Sequence, residues 1–239
     1  MNSMTQWPLA KYWTKCWNPI VGCVECSPAC ANCYAREMLK NRFGQPFKPH
    51  PSKSQRPPLS GVVFCGNMTD LFGEWRTCCE MAADIRTAIE RGGGATYLWL
   101  TKRPSRMVYA IDYMRVAVPP MHYFGFTTES QEWYDARCLD MALTGVMLDV
   151  NYWLSAEPLL GPIDLLKGRN GMPPFRWVVV GCESGPRRRP CKIEWVEGIV
   201  GQCLAAGVPV FVKQLDIGGK CETDINRFPA HLRIRQVPW

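Results

Sequence analysis

The chain has 239 residues, 47% of them hydrophobic, with a formal net charge of +7 and a sequence pI near 8.8. That is enough apolar material for one large α/β domain or two small ones, and no apolar run approaches the roughly 20 residues that span a bilayer. The charge favours an anionic partner but falls short of the balance of a dedicated nucleic-acid binder.

Residues 1–10 lack a basic segment followed by an apolar core, so no secretory leader is read. Thirteen cysteines without a leader point to reduced thiols in the cytoplasm rather than to a disulfide framework. In chain order, a first strand is expected around Tyr12–Trp17, followed by a cysteine-rich loop and a short helix at Ala35–Asn41. A Pro-rich surface loop covers 46–58. Short apolar runs bounded by turn residues follow at Gly61–Gly66, Ala95–Leu100, His122–Phe126, Asn151–Ser155, Arg176–Gly181 and Val208–Val212. Continuous β-branched and aromatic runs of this length suit strands buried on both faces of a parallel sheet. Helices are read at Cys78–Glu90, stopped by three glycines, at Trp133–Leu143, and at Glu194–Ala206, stopped by Gly207. Leu166–Pro174 reads as a second surface loop. The alternation predicts one (β/α) barrel over residues 1–239, full or partial, with six or seven parallel strands.

Each strand run is followed at once by polar residues. These are Asn67, Thr69 and Asp70 after the second, Lys102 and Arg103 after the third, and Thr128, Glu129 and Ser130 after the fourth. Glu157 follows the fifth, Glu183 the sixth, and Lys213 and Gln214 the seventh. Barrel sites are assembled from the C-terminal ends of strands, so the clusters are expected to converge on one mouth together with the cysteine loop.

That loop is Cys23-Val24-Glu25-Cys26-Ser27-Pro28-Ala29-Cys30-Ala31-Asn32-Cys33. Two C-x-x-C pairs this close make a poor tetrahedral cage for zinc, whose arms normally close across a longer spacer. An iron–sulfur cube is wider and takes closely spaced cysteines on separate irons. Three sulfurs suffice and leave one iron open. Two triplets are available: Cys26, Cys30 and Cys33, or Cys23, Cys30 and Cys33. The nine other cysteines read as small buried hydrophobes.

Cys26-x3-Cys30-x2-Cys33 has the spacing of the radical S-adenosylmethionine superfamily. The string Trp17-Asn18-Pro19-Ile20-Val21-Gly22-Cys23, with Ser27-Pro28-Ala29-Cys30-Ala31-Asn32-Cys33-Tyr34-Ala35, resembles a narrower group. This is the phage-associated radical-SAM-like family found beside three-Cys-motif partner proteins. Asn67-Met68-Thr69-Asp70-Leu71-Phe72, Leu100-Thr101-Lys102-Arg103-Pro104, Ser155-Ala156-Glu157-Pro158-Leu159-Leu160, Glu183-Ser184-Gly185-Pro186, Gln202-Cys203 and Lys213-Gln214 extend the likeness over residues 17–238. In that family's pattern the cluster ligands match Cys23, Cys30 and Cys33, and Cys26 replaces an aliphatic residue. Cys182 stands where a second glycine is expected. Asn32 stands where superfamily relatives usually carry an aromatic residue, which leaves Tyr34 to contact adenine.

The resemblance implies a [4Fe-4S] cluster whose open iron chelates S-adenosylmethionine, cleaved after one-electron reduction to a 5′-deoxyadenosyl radical. It suggests Lys102 or Arg103 for the cofactor carboxylate and Asn67, Thr69 and Asp70 for its amino group. Thr128, Glu129 or Ser130 would take the ribose hydroxyls, and Glu157, Glu183, Lys213 and Gln214 are left for substrate or proton transfer. The electron would come from a flavodoxin- or ferredoxin-like donor. A nucleobase in DNA or RNA is the first substrate reading, encouraged by Arg187-Arg188-Arg189 and by 27 aromatic residues. The rival readings are a non-catalytic iron–sulfur or zinc nucleic-acid-binding protein and a radical enzyme acting on a peptide or small metabolite.

Overall fold

The computed structural model describes residues 5–44, 47–53, 56–167 and 171–239. One eight-stranded sheet dominates it: β1 (Lys15–Trp17), β2 (Val62–Cys65), β3 (Thr96–Thr101), β4 (His122–Thr127), β5 (Asn151–Ala156), β6 (Phe175–Gly181), β7 (Val210–Ile217) and β8 (Lys220–Glu222). Spatial order follows chain order. β1 to β7 run parallel, and β8 returns antiparallel along β7. Five helices accompany the sheet: α1 (Tyr34–Phe43), α2 (Cys78–Arg91), α3 (Pro104–Met114), α4 (Gln131–Leu148) and α5 (Ile193–Ala205). They supply the crossovers that parallel strands require, except between β5 and β6, where no helix occurs among the described residues. None of the described helices is long and apolar enough to cross a membrane.

The elements follow from their residues. α2 opens on a reciprocal cap: the Glu80 amide donates to the Thr77 hydroxyl, and the Thr77 amide donates to the Glu80 carboxylate at 2.7 Å. Its buried stripe is Met81, Ala82, Ile85 and Ala88. α3 was not read from the sequence. It begins on Pro104, whose fixed φ suits a first helical turn, and buries Met107, Ala110, Ile111 and Met114. The predicted loop at 46–58 lies partly outside the described residues, and its described part pairs His50–Pro51 with Ile20–Val21.

The sheet curls. The Tyr12 ring lies 6.1 Å from Phe64 on β2, 5.9 Å from Trp153 on β5, 5.0 Å from Trp177 on β6 and 5.6 Å from Phe211 on β7. In a flat sheet β2 and β7 would stand about 24 Å apart, at roughly 4.8 Å per strand. No hydrogen bonding joins β1 to β7 among the described residues, so the curl is open and the closed form of the expected barrel is not found. The first strand also begins later than predicted, at Lys15, so Tyr12 and Trp13 precede it. They turn in front of β1, where Tyr12 fills the interior that a longer strand would have walled. Trp239 packs on Trp177, Tyr123 and Trp7 within this inner cluster. The larger apolar cluster joins the outer face of the sheet to the helices.

Candidate functional site

All seven parallel strands present their C-terminal ends on one side, and a cavity of about 620 Å³ opens there. Its lining includes Cys23, Cys30 and Cys33, and Cys26 is not part of it. Tyr34, Asn67, Thr69, Asp70, Lys102 and Arg103 line the wall, as do Glu157, Glu183, Lys213 and Gln214. The floor is apolar, formed by Tyr12, Trp13, Phe64 and Leu100. Thr128, Glu129 and Ser130 are not among the lining residues; Thr127, at the end of β4, takes that place.

The cysteine loop is pinned along its length by residues of the strand ends. At its start the Gly22 amide donates to Met68 O at 3.0 Å, and the Thr69 hydroxyl donates to Gly22 O. Gly22 sits at φ +83°, and a Cβ there would lie 2.1 Å from Lys48 O, so no other residue fits. Arg103 donates to Val24 O at 3.1 Å, and Arg189 donates to Pro28 O at 3.0 Å. Asn32 donates to the Glu183 carboxylate at 2.9 Å and to Arg187 O at 2.7 Å. Between these pins a 3-10 turn at Pro28–Cys30 places Cys30, and Cys33 occupies the N-cap position of α1 without a side-chain capping bond.

Several residues expected to contact a cofactor are therefore engaged with the protein itself. Asp70 is buried and saturated. Its carboxylate accepts from the amides of Phe72 and Lys102, from the Thr101 hydroxyl at 2.8 Å, and from Arg103 at 3.1 Å. Arg103 also pairs with Glu74 at 2.6 Å, and its guanidinium lies over Trp75. Glu129 is 1% exposed and pairs with Arg137 at 2.8 Å beneath α4. Glu183 accepts from the Arg189 amide and guanidinium as well as from Asn32. Burial alone would raise its pKa, but these bonds win and hold it below the usual carboxylate value.

Other side chains face the cavity with fewer ties. Lys102 donates from Nζ to Thr127 Oγ1 at 2.7 Å. Lys213 pairs with Glu157 at 2.8 Å and lies over the rings of Tyr12 and Trp13. β7 runs on to Ile217 rather than ending at Val212, and a register shift between Val212 and Gln214 lets both Lys213 and Gln214 reach the cavity. Gln214 donates to Cys182 O at 2.6 Å. The Tyr34 hydroxyl donates to Asn67 O, while the Asn67 side chain accepts from Asn18 at 2.7 Å. Tyr12, Trp13 and Cys182 were missed in the sequence: the first two look like strand residues and Cys182 like core, whereas Thr127 opens the polar cluster that follows the fourth strand run.

The arginine triplet is also spoken for. Arg187 pairs with Glu37, Arg188 with Asp216 at 2.8 Å, and Arg189 with Glu183. Its contribution to a phosphate-binding patch is accordingly smaller than the bare run of charge suggested.

Among the thiols, a hydrogen bond from Cys26 lowers Cys30 to about 5 against burial, with Lys102 helping. Burial raises Cys23 to about 12 and also raises Cys33. Among the described residues no three His, Cys, Asp or Glu side chains converge to hold a metal ion. The family described as a protein of unknown function (DUF5131) matches residues 10–233. The chain belongs to the DUF5131 family. Neither a curated protein nor a solved structure matches it. The match spans the cysteine loop, every strand of the sheet and every cavity residue named above, so the site is contained within the DUF5131 region.

Proposed function

We propose that this DUF5131 protein is a radical S-adenosylmethionine enzyme of the phage-associated type, with Cys23, Cys30 and Cys33 holding a [4Fe-4S] cluster. The observation that carries the reading is that these three thiols line one cavity with Lys102, Glu157 and Lys213 at the C-terminal mouth of a curled parallel sheet. The donor set suits the group. Thiolates are soft ligands for iron, and sulfurs carried at separate points of one pinned loop can take separate irons of a cluster.

Such a cluster, with one iron free, supplies reductive cleavage of S-adenosylmethionine. The protein's share is positional. Lys102 is placed to pair with the cofactor carboxylate through a charge-assisted hydrogen bond. Tyr34 offers an accessible ring for adenine. Arg103, Asp70 and Glu183 act one step back, fixing the loop that carries the sulfurs. Glu157 and Lys213 hold a charge pair over the aromatic floor, where a proton can be exchanged with substrate.

A nucleobase in DNA or RNA is the substrate reading we favour. Trp13, with the buried Tyr12 and Phe64, makes the floor of the cavity aromatic, a surface chemically suited to a flat ring. A flavodoxin- or ferredoxin-like protein would donate the electron, and a three-Cys-motif partner is a further candidate for binding. Anaerobic reconstitution with iron and sulfide, followed by S-adenosylmethionine and dithionite, tests the reading. Release of 5′-deoxyadenosine supports it. A protein that takes up only zinc, or an iron-loaded one that releases no 5′-deoxyadenosine, refutes it and favours a binding role.

A further inference from the structure

We propose that Cys182 and Cys221 form a redox-active dithiol that closes to a disulfide in the cavity wall. The pair lies outside the cysteine loop, and the inference stands whether or not a cluster is bound. The two sulfurs are 3.8 Å apart. Cys182 follows β6 directly, is 1% exposed and lines the cavity. Cys221 lies in β8, half-buried, paired with Asp216 across the hairpin.

A disulfide bond is about 2.05 Å long, so the sulfurs must close roughly 1.8 Å more. The geometry gives them the means. β8 is an edge strand with one neighbour, and Gly218-Gly219, at φ +57° and +73°, turn the chain into it. A shift of that edge moves Cys221 against a single neighbouring strand.

The two thiols are unequal in the way exchange chemistry requires. Cys182 donates its S–H to Cys221, which outweighs burial and, with Arg188 and Lys213 nearby, holds the Cys221 thiol down to about 7. Cys221 is also the less buried of the two, so it is both the more accessible thiol and the better populated as thiolate. It attacks one sulfur of a low-molecular-weight disulfide, and the other half of that disulfide leaves as thiolate. Cys182 then loses its proton and attacks the Cys221 sulfur of the mixed disulfide, expelling the second thiolate. The two protein thiols give up two electrons and two protons, and the oxidant's halves receive them as two thiols.

Closure would be felt at the site. The Cys182 amide donates to Gln214 O at 3.2 Å, its carbonyl accepts from the Gln214 side chain, and its neighbour Glu183 holds Asn32 of the cysteine loop.

The protein, held anaerobically in a buffer of reduced and oxidised glutathione, is alkylated, digested without reduction and mapped by mass spectrometry. A peptide joining Cys182 to Cys221 is expected, about tenfold over any link from Cys182 to Cys191. Cys182→Ser should instead trap glutathione on Cys221. Recovery of both thiols alkylated in the native protein, or a link formed only in urea, overturns the proposal. Should Cys182→Ser fail to fold, Cys221→Ser serves: an unmodified Cys182 is expected, and glutathione on Cys182 overturns the assignment of Cys221 as the attacking thiol.

Discussion

Asn32 and Glu183, 151 positions apart in the chain, share a 2.9 Å hydrogen bond that ties the cysteine loop to the exit of β6. The same carboxylate takes the amide and guanidinium of Arg189, which in turn reaches Pro28 O. Glu183 is thus a positioning residue for Cys30 and Cys33. Its carboxylate is held below the usual value, so its contribution is complete above about pH 4.3, the unfolded value, and fades as pH falls through the lower folded value. Glu183→Gln keeps the shape and loses the charge, and a charge-assisted hydrogen bond is worth about 1.5–3 kcal/mol. We expect a melting temperature lower by roughly 3–10 °C at pH 7, and iron retention after reconstitution below half of wild type. Unchanged iron binding in a folded variant would remove Glu183 from this role.

Lys102 and Arg103 are neighbours with opposite duties. Arg103 bridges Asp70, Glu74 and Val24 O, and both it and Asp70 are buried. Removing one partner of a buried pair strands the other, at a cost of about 3–5 kcal/mol. Arg103→Ala should therefore lower stability by that order in a denaturant titration. Lys102 has one hydrogen bond to Thr127 and faces the cavity. Lys102→Ala should melt within about 2 °C of wild type while weakening S-adenosylmethionine binding about tenfold, or roughly 1.4 kcal/mol. The reverse pattern would exchange the two roles.

His122 sets an acid limit on the fold. It stacks among Tyr97, Trp99 and Phe124 and accepts a hydrogen bond from the Trp99 indole at 3.2 Å, which requires an unprotonated Nδ1. Burial pushes its pKa down to about 4. The unfolded chain binds this proton near pH 6.5 and the folded chain only near 4, so protonation favours the unfolded state throughout that window. Stability should fall by about 3 kcal/mol between pH 6.5 and 4 from this residue alone. His122→Gln, which can still accept from Trp99, should flatten this part of the profile. A wild-type slope that persists in the variant would assign it elsewhere.

Strand runs were legible in the sequence because a sheet covered on both faces demands unbroken apolar residues, as in Val178, Val179 and Val180. Their phase with the polar clusters located the cavity. What could not be read was which polar residues face a ligand and which face the chain. Asp70 and Lys102 look equally available in one dimension, yet only Asp70 is saturated by contacts. Arg187, Arg188 and Arg189 look like free charge, yet each has an ion-pair partner, and that of Arg187 lies 150 residues away. The helix at Pro104–Met114 was hidden because its first residue belongs to a rim motif, and Tyr12 because an interior plug has no periodicity.

The sharpest test of the site concerns Cys26. Both C-x-x-C pairs look equivalent in sequence, but in the fold Cys23, Cys30 and Cys33 face the cavity and Cys26 does not. Cys26 instead donates its thiol to Cys30, which raises its own pKa and lowers that of Cys30. If Cys26 were a fourth ligand, no iron would remain open and S-adenosylmethionine would have no place to bind. If it only supports Cys30, Cys26→Ala removes one sulfur–sulfur contact and leaves the cluster on three ligands. We therefore expect Cys26→Ala to reconstitute to wild-type iron content and to release 5′-deoxyadenosine at a rate within about threefold of wild type, a change under roughly 0.7 kcal/mol. Cys23→Ala, Cys30→Ala and Cys33→Ala should each lose the visible absorption of the cluster. Loss of iron in Cys26→Ala together with retention in Cys23→Ala would transfer the third ligand to Cys26, because the loop would then have to turn that sulfur inward on metal binding.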